Sequence, residues 1–93
     1  MNYKFDGKTL RDPRGNKLAV FDGNVIHDTR GTRLGTIERD SLKDPRGNKL
    51  ATFDGRDIRD AHGSRIGTMG DIQKEIDGPG GMSLVGLWFL LVR

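Results

Sequence analysis

Two columns of basic residues recur along this 93-residue chain at a constant interval. Arg14, Arg30, Arg46 and His62 stand 16 positions apart, and so do Lys17, Arg33, Lys49 and Arg65. Cations repeated at fixed spacing can hold the phosphates of a nucleic acid or nucleotide, or the carboxylates of an acidic protein. Interleaved with them are Asp6, Asp12, Asp22, Asp28, Asp40, Asp44, Asp54 and Asp60. Carboxylates in loops are the usual ligands of calcium. However, an EF-hand needs several of them within a twelve-residue loop, and a calcium β-roll needs a nine-residue Gly-Gly-x-Gly-x-Asp repeat. Neither pattern is present, so each aspartate is expected to satisfy the backbone amides of its own turn.

Other chemistry finds little support. Cysteine is absent and the two histidines do not cluster, which removes the common zinc sets. His27 and Asp28 are adjacent, so on a strand they point to opposite faces and do not form a dyad. No Gly-x-Ser-x-Gly elbow is present. Gly78-Pro79-Gly80-Gly81 does not join a strand to a helix start in the manner of a phosphate loop. No enzyme activity, metal or cofactor is expected.

The elements that must carry the basic columns follow from the repeat itself. DPRGNKLA occurs at Asp12–Ala19 and again at Asp44–Ala51. Around these segments, LRDPRGNKLAVFDG and LKDPRGNKLATFDG share all but two positions, and DTRGTRLGTI is echoed by DAHGSRIGTM. At half that spacing, Gly15, Gly31, Gly47 and Gly63 align, as do Leu18, Leu34, Leu50 and Ile66, and Leu10, Ile26, Leu42 and Ile58. The series Phe5, Phe21, Ile37, Phe53 and Met69 keeps the same step. Four units therefore span residues 5–20, 21–36, 37–52 and 53–68, followed by a degenerate fifth stretch, 69–81, and an apolar segment, 82–93.

Asp-Pro-Arg-Gly suits a tight turn closed by a glycine at positive φ, and the Asp-Gly pairs at 6–7, 22–23 and 54–55 suit type I′ hairpin turns. The two turn kinds alternate about every eight residues and predict an antiparallel meander of about eight short strands. Unit three has Glu38-Arg39-Asp40 where the others have Asp-Gly, which reads as a longer connection. Leu18 and Phe21 are three apart, so either a bulge re-aims one of them or both faces of the sheet are partly covered. Three large apolar residues per unit cannot stabilise a lone hairpin, so the units must share a core and hide their edges. The expected fold is all-β: one domain of four hairpin repeats, with pseudo-four-fold and underlying two-fold symmetry, closed into a flower or barrel.

Hydrophobic residues make up 33% of the chain, a thin supply for a core of this size. MSLVGLWFLLVR, at 82–93, answers that shortage. Nine of the eleven residues from Met82 to Val92 are large and apolar, about half a membrane span. The segment can fill the centre of the ring as a strand or short helix. It can instead pair with a second copy of the chain. A membrane contact is the least favoured reading, because the segment lacks the polar face of an interfacial helix. Residues 71–77 fit either a helical turn or a fifth hairpin.

The 16-residue Asp-x-x-Gly-x-x-aliphatic-Gly unit, four times over, resembles the small bacterial proteins known as four-fold β-flower proteins. The resemblance covers residues 3–68. It implies an all-β, pseudo-four-fold bacterial protein of uncharacterised role and carries over no site residues. Similarity to the YD repeats of bacterial surface proteins is weaker, since their period is longer and the preceding tyrosine is missing.

The charge, +3 at neutral pH, permits an anionic partner without demanding one. MNYKFDGKTL carries no apolar leader. With no cysteine and no full-length span, the reading is a cytoplasmic protein. The expected function is a non-enzymatic structural or interaction module with a protein partner, and with self-association through 82–92 as a further route. The alternative is an anion- or nucleic-acid-binding protein using Arg14, Lys17, Arg30, Arg33, Arg46, Lys49, His62 and Arg65 at the hairpin tips. Against that alternative, hairpin tips are commonly charged and solvated, and their aspartates offset the field.

Overall fold

The computed structural model describes residues 2–93. Ten strands form one sheet: β1 (Tyr3–Phe5), β2 (Thr9–Arg11), β3 (Lys17–Asp22), β4 (Val25–Asp28), β5 (Arg33–Glu38), β6 (Ser41–Lys43), β7 (Lys49–Phe53), β8 (Asp57–Asp60), β9 (Arg65–Thr68) and β10 (Ile76–Asp77). Strands β1 to β9 run as an antiparallel meander in chain order, and β10 adds to β1 in parallel. Helix α1 (Met69–Gln73) links β9 to β10. Helix α2 (Met82–Leu87) continues into a π-helical turn, Trp88–Val92, in which the Arg93 amide donates to the Trp88 carbonyl at 2.8 Å.

The longer turns are built by their aspartates. In the first, the Asp12 Oδ1 atom accepts from the amides of Arg14 at 2.9 Å and Asn16 at 2.8 Å, while Gly15 donates to the Asp12 carbonyl at 2.9 Å. Gly15 sits at φ +90°, where a side chain would be strained. Asp28, Asp44 and Asp60 accept from the amides two and four residues ahead in the same way.

Each of these turns is followed by the same register shift. Leu10 pairs with Ala19 but Arg11 with Lys17, which leaves Leu18 as an extra residue. Leu34, Leu50 and Ile66 are the extra residues of the next three hairpins. All four are half-buried and pack against the core. The bulge therefore resolves the three-residue spacing of Leu18 and Phe21, because an inserted residue re-aims a side chain that regular pleating would send elsewhere.

The shorter turns differ from type I′. The Asp6 amide donates to the Thr9 carbonyl across a Gly7-Lys8 turn, and only Gly7, at φ +102°, has positive φ. The glycine falls at the first central position because the aspartate precedes it as a cap, its Oδ1 accepting from Lys8 and Thr9. That placement matches type II′, which needs glycine there alone. Unit three has no longer connection. Glu38 pairs with Ser41 across a two-residue turn, and Arg39 takes the glycine's place at φ +56°. It is the one non-glycine at positive φ among the described residues. Neighbouring units are tied by a recurrent bond: the amides of Phe21, Ile37, Phe53 and Met69 donate to the carbonyls of Lys8, Asn24, Asp40 and Arg56.

One face of the sheet carries the core. Leu10, Ile26, Leu42 and Ile58 are fully buried, each contributing on the order of 1.5–3 kcal/mol. Against them lies the C-terminal segment, with Leu84, Val85 and Leu87 fully buried and Trp88 7% exposed. Of the expected alternatives, the segment is thus a short helix, packed against the core face of the sheet. Its approach depends on small residues. A Cβ on Gly86 would stand 2.8 Å from Ile37 Cδ1 and 2.9 Å from Ile26 Cδ1. At Gly35 it would meet Leu90 Cδ1 at 3.3 Å and the Lys43 carbonyl at 2.9 Å.

The expected closure of the sheet is not observed. β9 and β10 end the ladder and do not pair with each other. Helix α1 joins them and contacts both, with Ile72 and Ile76 fully buried. A capping box explains why the strand pattern stops here: Thr68 Oγ1 accepts from the Asp71 amide and Asp71 Oδ2 from the Thr68 amide. Residues 69–81 therefore hold a helical turn and a parallel strand, not a fifth hairpin, and Gly78 permits close backbone approach to Phe5.

Two glycine substitutions separate packing from chain entropy. Gly86→Val forces methyl groups into a filled space and should destabilise by about 1–3 kcal/mol. Gly70→Ala, whose Cβ would meet nothing closer than Thr68 Oγ1 at 3.6 Å, should stabilise by about 0.5–1 kcal/mol. Arg39→Gly should also stabilise, by about 1 kcal/mol, by relieving the positive φ. Urea unfolding midpoints check all three.

Candidate anion-binding surface

In a meander, alternate turns lie at opposite ends of the strands. The four Asp-x-x-Gly turns therefore share one end of the sheet and the four short turns share the other. Arg14, Arg30, Arg46 and His62 sit at the tips of the first set, and Lys17, Arg33, Lys49 and Arg65 begin the strands that leave them. All eight residues are exposed.

A third basic column joins them that the sequence reading did not single out. Arg11, His27, Lys43 and Arg59 are the last or penultimate residues of the strands that enter the same turns. Their direct cross-strand partners are Lys17, Arg33, Lys49 and Arg65, in that order. Like charges directly opposite one another are destabilising, yet three of the four hairpins have two permanent cations there and the fourth pairs His27 with Arg33. Arg11 and Arg59 also fold over their own tips, donating through Nη1 to the carbonyls of Gly15 at 3.3 Å and Gly63 at 3.1 Å. The period of 16 runs through this third column as well, but its opposition to the second depends on the bulge register, which spacing alone does not reveal.

The charge of the molecule is separated as a result. Residues 11–17, 27–33, 43–49 and 59–65 contain ten lysines and arginines against four aspartates. The other end carries Asp6, Asp22, Glu38, Asp40, Asp54 and Asp57 with Lys8, Arg39 and Arg56, and two ion pairs reach between the ends, Lys43 to Glu38 and Arg65 to Asp57 at 3.8 Å. The modest net charge is thus unevenly spread, with the cations in excess around the Asp-x-x-Gly turns.

Each tip aspartate commits its Oδ1 atom to the amides of its own turn. Amide bonds from Asn16 and Asn48, supported by those residues' side chains and by Arg14 and Arg46, hold Asp12 and Asp44 below the ordinary aspartate range. The Ser64 amide, then the His62 amide and charge, act likewise on Asp60. At the opposite end, Asp6 is lowered chiefly by the Thr9 amide and Asp54 by the Asp57 amide. Glu38 is lowered by its ion pair with Lys43. Among the described residues, no group of three or more His, Asp or Glu is placed to hold a metal ion, and no polar or charged residue is buried in the core. The surface depressions are open grooves, such as the one lined by Glu38, Arg39, Asp40, Ser41, Lys43 and Lys49.

Comparisons with family models, curated proteins and solved structures return no match to this chain. No helix among the described residues is long and apolar enough to cross a membrane.

The aspartate turns give stability a defined acid limit. Carboxyls whose folded pKa is depressed contribute above the ordinary carboxylate range and lose that contribution as pH falls through the folded value. The melting temperature should hold from neutral pH to about 5 and fall below about pH 4. Asp12→Ala with Asp44→Ala should lower it at neutral pH and flatten the acid decline. Thermal melts followed by circular dichroism across that range check this, and an unchanged acid slope in the double variant would count against the turn mechanism.

Proposed function

We propose that this chain is a non-enzymatic interaction module whose contact surface is the basic end of its sheet. Its partner is anionic. The observation that carries this reading is the opposition of like charges across the strands at the four bulged hairpins. Folding alone would favour a carboxylate at one position of each pair; Glu38 and Asp57 answer one cation in each of two pairs, and an external anion answers the others. Four clusters of two or three cations at repeated spacing suit an extended polyanion or a charged surface. The exposed ends lack a row of aromatics, so recognition is by charge and not by base identity.

The architecture belongs to the same proposal. Four hairpin units in a pseudo-four-fold arrangement, of the β-flower kind, surround the C-terminal helix, with α1 and β10 completing the circuit where hydrogen bonds do not. Recurrence of the same bulge, the same aspartate cap and the same inter-unit amide bond at 16-residue intervals supports it.

A titration against labelled nucleic acids of several sequences and an acidic polymer, at low and moderate salt, tests the contact surface. Binding should be indifferent to sequence, weaken steeply with salt, and fall across every ligand in Arg14→Ala with Arg46→Ala. Failure to bind any polyanion at low salt would overturn the reading.

A further inference from the structure

The C-terminal segment runs toward the basic end. At its start, Gly80 lies beside Met69, just past the acidic end of β9, and Gly86 lies against Ile26 and Ile37. One turn later, Leu90 lies beside Gly35, on the same rung as Ile26 and two residues from where β5 leaves a basic turn, while Trp88 and Asp71 both lie beside Gly67. Arg93 comes close enough to the tip of the last hairpin for its charge to act on Asp60. Its guanidinium lies 5.0 Å from the Phe89 ring centroid and 5.9 Å from that of Trp88.

Burial falls along the same path. The segment is fully buried at Leu84 and Leu87, half-buried from Phe89 to Val92, and exposed at Arg93. The bulge residues Leu18, Leu34, Leu50 and Ile66, one residue into the strands that leave the basic turns, are also half-buried. One end of the molecule thus combines partly exposed apolar side chains with the cations of its hairpins.

We infer that this end docks on an anionic lipid surface, with the C-terminal apolar tip entering the interface and the hairpin cations meeting the headgroups. The inference rests on the basic-end reading and names its partner class. By itself, the C-terminal segment lacks the polar face that an interfacial helix requires. The fold supplies it from elsewhere, by placing the arginines and lysines of four hairpins around the point where the segment emerges. Apolar insertion and attraction to anionic headgroups are the two contributions that peripheral membrane binding needs together. A nucleic acid would use the cations but leave the apolar centre without a role, since the half-buried residues there are mainly aliphatic.

Co-sedimentation of the intact protein with vesicles tests this. Neutral phosphatidylcholine vesicles are compared with vesicles containing phosphatidylserine, at low and near-physiological salt. Binding should require the anionic lipid and weaken with salt. In Arg30→Glu with Arg46→Glu, both exposed positions, it should fall by more than roughly tenfold. Phe89→Ser should weaken it as well. Should that variant fail to fold, the wild-type chain gives the answer through quenching of Trp88, its only tryptophan, by lipids brominated on the acyl chain. Quenching is expected on anionic vesicles. Equal binding to neutral vesicles, or adsorption without quenching, overturns the inference. Binding of a soluble acidic polymer without binding of vesicles overturns it too while leaving the basic-end reading in place, and binding of neither overturns both.

Discussion

The interaction on which the structure depends is the bond between an aspartate carboxylate and the amides of its own turn. Chain entropy is the largest opponent of folding, and this protein has little apolar surface to set against it. A carboxylate that accepts from amides two and four residues ahead orders a five-residue turn locally, before any long-range contact forms. Repeated at Asp12, Asp28, Asp44 and Asp60, it sets the hairpin period. The glycine at positive φ and the bulge follow from the same geometry. The bulge in turn decides which side chains face the core and which cations stand opposite one another.

A second constraint is volume. The repeats set Leu10, Ile26, Leu42 and Ile58 directly opposite Ala19, Gly35, Ala51 and Gly67 on one level of the sheet. Small residues at that level leave room that the sheet cannot fill by itself. Helix α2 and the π-turn fill it, with Gly86 admitting the helix backbone to contact with Ile26 and Ile37. The segment that looks most like a sticky or membrane-seeking peptide in sequence is therefore committed along most of its length to the core. Only its last turn reaches the surface.

Much of this was legible in the residues. The period of 16, the alternation of two turn kinds, the self-capping of the aspartates and the demand for a central apolar filler all follow from spacing and turn chemistry. What was not legible depends on register. Leu18 could be aimed correctly only once the bulge was known. The same bulge sets Arg11 against Lys17, so the doubling of the basic columns was hidden. Arg39 reads as a break in the pattern because arginine resists positive φ, yet the two-residue turn is kept. Closure failed as an expectation for a local reason: the Thr68–Asp71 capping box starts a helix where a further strand would have been needed to complete the ring.

Taken together, local turn chemistry builds the sheet, the sheet separates charge along its strands, and the C-terminal segment emerges at the basic end. The central claim is that this end is where a partner is met. It is tested most directly by mapping backbone amide shifts by NMR during titration with a short acidic oligosaccharide at low salt. The account predicts perturbation confined to residues 11–17, 27–33, 43–49 and 59–65 and to the C-terminal turn. Perturbation centred on the opposite turns, around Gly7, Gly23, Arg39 and Gly55, or none at all, would contradict it.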